Sequence, residues 1–281
     1  MSTATPTRAS TARAEFFDAD GRRLFGLHVA PTGPVLGSAV YVPAFAEEMN
    51  RCRSHAASQA RALAATGVHC LLIDLYGTGE SDGGFEDATW ENWRDDVAAA
   101  ARHVLQLTGH APTLWGVRTG ALLAAEVAAA AHDRPPRLLF WQPVLDGKLF
   151  LNQYLRLRIA SQMVSESERE TTEQIRARLT RGEVLEIAGY PLTRDMADGL
   201  AGSRIASVAL PPSSRVGWLE IVAKPDQPLA IPSRRQTDEW ASRGVDVVTD
   251  TVVCPMIWQL HERADAPELE AATLRLWGER T

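Results

Sequence analysis

LWGVRTGALLAA, residues 114–125, decides how the rest of this chain is read. The segment PTLWGV (112–117) reads as a buried strand, and TGALLAAEVAAAAH (119–132) as a helix rich in small residues. The chain must therefore turn sharply from strand to helix around residue 118. Gly116 and Gly120 frame that turn at the spacing of the G-x-S-x-G pattern, in which a serine nucleophile sits on a strained strand-to-helix bend. Glycine suits both positions because the turn is tight and the helix packs close to neighbouring strands. The residue at the centre is Arg118, where that pattern has serine.

A guanidinium stays protonated at any accessible pH and has no free lone pair, so Arg118 cannot attack a carbonyl. It would instead place a fork of donors at a helix N-terminus, where free amides and the helix dipole already favour anions. Arg118 and the adjacent Thr119 are thus candidates to hold a carboxylate, a phosphate or another oxyanion. The plainer alternative is a surface arginine in an ordinary turn. As substitute nucleophiles, Thr119, Ser81 and Cys52 each lack an evident base within reach. Ser81 reads as structural.

Outward from the bend, strands and helices alternate. EFFDADGRRLFGLHVAP (15–31) reads as a hairpin around Asp20-Gly21. SAVYVPAF (38–45) and VHCLLIDL (68–75) read as buried strands, residues 51–66 as a helix ending at Gly67, and residues 89–107 as a helix with Thr89 as N-cap. RLLFWQPV (137–144), GWLEIVA (217–223) and VDVVTDTV (245–252) are further strands, with helices at 232–243 and 266–278. Such alternation predicts a mostly parallel central sheet with helices on both faces, an α/β fold. Residues 147–205 lack any buried-strand run and read as a helical cap inserted over the carboxyl ends of the strands. The core then comprises 14–146 and 206–281, and residues 1–13 read as a disordered tail.

A nucleophile bend of this kind is followed in chain order by an acid after a late strand and then by a histidine. Asp226, in VAKPDQPLAIP, and His261, in IWQLHERADAPEL, hold those places. Asp226 is equally a turn aspartate between Pro225 and Pro228. His261, amid charged residues, is equally a solvated surface histidine. The loop VPAFAEEMNRCR (42–53) follows the strand whose end would supply oxyanion donors, with the amides near Ala44 and Phe45 as candidates. Glu48 and Asn50, with Glu47, Arg51 and Arg53, stand where they could pair with Arg118 or touch a substrate. The acids would also suit the first turn of a helix. Trp90 and Trp93 share a helix face and read as core. Trp141 and Gln142, at the end of a strand, are expected at the mouth of the same site.

The totals set limits on partners. A net charge of −6 argues against nucleic acid. No run of about eighteen apolar residues exists, so no membrane span is expected. Cys52, Cys70 and Cys254 are odd in number and far apart, which suits free thiols in a reducing cytoplasm. No Cys/His spacing suggests zinc, and neither metal nor cofactor is expected.

Several separated motifs together resemble the bacterial exosortase A system-associated hydrolase 2 family. They are VPAFAEEMNRCR (42–53), DLYGTGESDGGFEDATWENWRDD (74–96), LWGVRTGALLA (114–124), WQPVLDGKLFLNQYLRLR (141–158) and AGY (188–190). The resemblance covers nearly the whole chain from residue 14. It implies an α/β-hydrolase fold with a helical cap, and a role near exopolysaccharide production and PEP-CTERM protein sorting in Gram-negative bacteria. It also implies that arginine is usual at this bend, in a G-L-R-x-G form. Cys52 departs from a serine more usual there. The word hydrolase comes with the fold and does not establish chemistry.

The reading adopted is a hydrolase-family protein with turnover left open, and three functions compete within it. One is an ester or thioester hydrolase, or an acyl-transfer enzyme, acting on a small or lipid-linked acyl substrate through water activated by His261, Asp226 or Glu48, with Arg118 stabilising an oxyanion. Another is a non-catalytic protein that holds an anionic ligand on Arg118. The last is a scaffold for protein partners in polysaccharide biosynthesis.

Overall fold

The computed structural model of the chain describes residues 10–131, 136–162, 170–260, 262 and 264–278. Strands β1 (Ser10–Ala19) and β2 (Arg22–Pro31) form an antiparallel hairpin. Asp20 and Gly21 join them with φ of 54° and 87°, the double left-handed turn that matches strand twist. Residues 10–13 belong to this hairpin and not to a tail, because β2 offers their backbone a ladder: Ser10 pairs with Pro31 and Arg13 with His28. Positions 1–9 lie outside the described residues.

From there the predicted alternation runs as β3 (Gly37–Val42), α1 (Glu47–Ala65), β4 (Val68–Ile73), α2 (Trp90–Thr108), β5 (Thr113–Val117), α3 (Gly120–Ala130) and β6 (Arg137–Trp141). The sheet order is β1-β2-β4-β3-β5-β6, completed by β9 (Arg215–Val222) and β10 (Asp246–Val253), eight strands in all. β4, β3, β5, β6, β9 and β10 are parallel; β2 runs antiparallel to β4 and to β1. Helices α7 (Ile231–Ser242) and α8 (Pro267–Gly278) flank the last strands. Among the described residues no helix is long and apolar enough to cross a membrane.

The pleat sorts the core into two layers. Leu114, Leu138, Phe140, Val216 and Trp218 face α2 and α3, while Trp115, Val117, Leu139, Trp141 and Leu219 face α1 and α8. This alternation corrects the expectation for Trp141. Its side chain lies buried on the α1/α8 layer, against Trp115 and donating to Thr273 Oγ1 at 2.9 Å, and not beside the Arg118 side chain. Trp90 and Trp93 are core, as their spacing predicts, packing with Phe45 and Phe85. Thr89 caps α2 by accepting from the Asn92 amide.

Between β6 and β9 the chain forms α4 (Gly147–Gln162), α5 (Thr172–Thr180), a small hairpin of β7 (Leu185–Ile187) and β8 (Tyr190–Leu192), and α6 (Arg194–Gly202). The hairpin departs from an all-helical reading. Its strands have three residues each, too short for alternation to register, and its turn is set by Ala188 and Gly189 at positive φ. This insertion packs its aromatic side chains onto the loops that follow the parallel strands. Tyr154 and Phe150 meet Phe45, and Tyr190 meets Phe85.

Candidate functional site

Positive φ on non-glycine residues gathers after the parallel strands. Ala46 (52°) follows β3, Arg118 (55°) follows β5, Gln142 (43°) follows β6 and Asp226 (59°) follows β9. Left-handed backbone at residues with a Cβ costs energy and persists only where the surroundings over-determine it. At Arg118 those surroundings are visible. Its amide donates to Trp141 O at 3.0 Å, and its carbonyl accepts from Ala121 N at 3.2 Å and Val144 N at 3.1 Å. The framing glycines are there for close approach. A Cβ on Gly120 would strike the carbonyl oxygens of Val42 and Pro43, and one on Gly116 would lie 2.6 Å from Ala121 Cα.

The bend thus holds the strained strand-to-helix geometry expected of it, and Arg118 is nearly buried with 14% of its side chain exposed. Its fork is filled from within the chain. Nε donates to Glu48 Oε2 at 3.1 Å and Nη2 to Glu48 Oε1 at 3.2 Å, a two-pronged ion pair. Nη1 points at Gln142 O, 3.4 Å away. The Trp258 ring lies flat below, its centroid 4.6 Å from the guanidinium carbon. Glu48 stands in the first turn of α1, which begins four residues earlier than its Ala/Arg pattern suggests, and the helix dipole favours an acid there. Burial pushes the Glu48 carboxyl above its usual range, while Arg118 and Arg51 pull the other way.

The remaining predicted residues separate into those near this pair and those away from it. Ala44 and Phe45 are buried in the loop before α1. Phe45 turns its ring into an aromatic group with Phe85, Trp93 and Tyr154. Thr119 is buried at the start of α3, and its side chain makes no capping bond. Asn50 is tied to the insertion, donating to the Tyr190 hydroxyl at 2.7 Å. Gln142 spends its side chain on the Ile221 amide. Asp226 is exposed in the loop after β9, and among the described residues it has no ion-pair partner. His261 lies outside the described residues. Ser81 is structural: Oγ donates to Asp74 O and accepts from Phe25 N. Cys52 is fully buried, and burial drives its thiol far above the range in which a thiolate forms.

One residue was invisible to sequence reasoning. Trp258 arrives from the segment after β10, three residues before His261, and supplies the face that Arg118 rests on. An aromatic there, in a chain with a cation at the bend, was the available signal. Glu47, by contrast, was a candidate from sequence. Its Oε2 is buried without a hydrogen-bond partner among the described residues, and burial raises its carboxyl pKa. The two cavities described lie elsewhere. The larger, about 220 Å³, opens between α1 and α8 beside His55, Gln59 and Leu269.

Solved structures with this architecture are numerous. The chain superposes on DcsB, solved in complex with its substrate analogue, with TM-score 0.64 and 15% identity over 96% of this chain and 100% of that one. The fold is that of the α/β-hydrolases. Est1E from Butyrivibrio proteoclasticus, with ferulic acid bound, matches at TM-score 0.60 and 18% identity over 95% of this chain and 97% of its own. The Pyrobaculum calidifontis esterase matches at 0.58 and 17% over 95% and 84%. No family model matches the chain, and none of the curated proteins compared with it does. At these identities the α/β-hydrolase likeness concerns architecture. Chemistry has to be argued from the bend itself.

Proposed function

We propose that this α/β-hydrolase-fold chain binds an anionic acyl compound at its elbow and does not hydrolyse it. The observation that carries this reading is the Arg118–Glu48 pair stacked on Trp258. Acyl transfer by this fold needs a nucleophile with a base in reach, and the elbow holds a permanent cation instead. Glu48 occupies the fork much as a ligand carboxylate would. A small-molecule or lipid-linked acid, or a phosphate, would take Arg118 by displacing Glu48, with its acyl part against Phe45, Phe150 and Tyr154 under the insertion. The sequence motifs support a setting in exopolysaccharide production and PEP-CTERM sorting, in the cytoplasm, with protein partners from that machinery.

Glu47 favours a second reading, an ester or thioester hydrolase or acyl-transfer enzyme. A carboxyl with a raised pKa and an unpartnered oxygen is suited to activate water. Arg118 would then steady the oxyanion, with Asp226 and His261 in support. Activated p-nitrophenyl esters and acyl thioesters, tested beside Arg118→Ser, separate the two readings. The binding reading expects no turnover above buffer by the native protein. It also expects calorimetric binding of a medium-chain carboxylate such as decanoate, weakened at least tenfold by Arg118→Gln and strengthened by Glu48→Gln. Native turnover that Glu47→Gln, Asp226→Ala or His261→Ala abolishes would replace it with the enzyme.

A further inference from the structure

At the β1–β2 edge of the sheet lies a group of side chains that the elbow does not use. One ligand atom each from Glu15, His28 and His103 come within 4.8 Å of one another. Glu15 is on β1, His28 on β2 and His103 on α2. Register explains the meeting of the first two. Glu15 pairs with Gly26, so His28, two residues along β2, lies diagonally across on the same face. Helix α2 then lays His103 over that face, where Phe17 stacks on its ring at 4.7 Å.

We propose that Glu15, His28 and His103 bind a divalent transition metal ion of the zinc class. His28 is 1% exposed, and among the described residues its Nε2 and that of His103 are buried with no hydrogen-bond partner. Leaving such atoms unmet is costly, and a metal is the partner that two imidazole lone pairs and a carboxylate suit. The outer contact is also in place. His28 Nδ1 lies 2.9 Å from His69 Nε2, and with Nδ1 as the donor the Nε2 lone pair is directed at the cluster. His28 Nε2 and Glu15 Oε2 are 3.6 Å apart, close to the roughly 3.3 Å between donors around a tetrahedral zinc. The half-buried Glu15 and His103 side chains can close the remaining gap. Three protein ligands leave one position for water.

Arg13 is the competitor. It lies across from His28, is 61% exposed, and its guanidinium pairs with Glu15 Oε2. A metal ion would displace it into solvent. The site lies away from the elbow, since β1 and β2 form one edge of the sheet and β4 and β3 stand between them and β5, which Arg118 follows. The ion would therefore tie the β1–β2 hairpin to α2 and take no part in chemistry at Arg118.

The test uses tag-free, full-length protein stripped with chelator and titrated with Zn²⁺. One Zn²⁺ per chain is expected, with a melting temperature that rises in Zn²⁺ and not in Mg²⁺. His103→Gln and Glu15→Gln should each weaken binding more than tenfold. Arg13→Gln should strengthen it, and His110→Gln, outside the cluster, should change nothing. Co²⁺ in the native chain should give the visible bands of a tetrahedral site, lost in His28→Gln. Because His28 is buried, circular dichroism checks that this variant folds, and the two half-exposed positions decide if it does not. Zinc affinity unchanged in both His103→Gln and Glu15→Gln, or no affinity in the native chain, overturns the proposal.

Discussion

At the elbow, a buried cation meets its anion from the same chain; at the β1–β2 edge of the sheet, two buried imidazole nitrogens have no hydrogen-bond partner among the described residues. Both regions join residues far apart in sequence. Arg118 and Glu48 are 70 positions apart, and His28 and His69 are 41 apart. The difference lies in how the demand is met. A guanidinium cannot shed its proton, so its burial forces the fold to supply a carboxylate. An imidazole can rest neutral with an idle lone pair, at lower cost, until an ion arrives. At the elbow a ligand acid would have to displace Glu48, whereas the histidine cluster offers lone pairs that no hydrogen bond among the described residues occupies.

That contrast can be broken most forcefully at Glu48. Glu48→Ala strands the Arg118 charge in a nearly buried place and should cost about 3–5 kcal/mol in urea unfolding. The double change Glu48→Leu with Arg118→Met should recover most of the loss. A single-site loss below about 1 kcal/mol would mean that the pair is solvated and the region is not closed. Next in size is Gly120→Ala, whose Cβ would meet the Val42 and Pro43 carbonyls. About 1–3 kcal/mol of destabilisation is expected in the same assay, because backbone must move. A neutral result would show slack at the elbow. Smallest is His103→Gln in chelator, expected within about 0.5 kcal/mol of the native chain. A large loss without metal would make the histidine cluster a structural element.

Much of this architecture was legible because local pattern carries it. The apolar runs 68–75 and 112–117, the small-residue helix after Gly120 and the Asp20-Gly21 turn each announce their element through period or backbone preference. Boundaries were less legible where tertiary partners extend an element. β1 reaches back to Ser10 because β2 is there to pair with it, and α1 starts at Glu47 because its first-turn acid is anchored by Arg118. Trp141 misled because strand position alone does not say which face the pleat presents at a strand's end.

The sequence by itself determined the α/β order of elements, the strained bend between β5 and α3, and the presence there of a cation that cannot act as a nucleophile. These follow from hydrophobic period, glycine placement and the chemistry of one side chain. Only the tertiary structure decided what that cation touches, and that Glu15, His28 and His103 converge. Contacts between distant segments depend on register, pleat and helix docking, which no local spacing encodes.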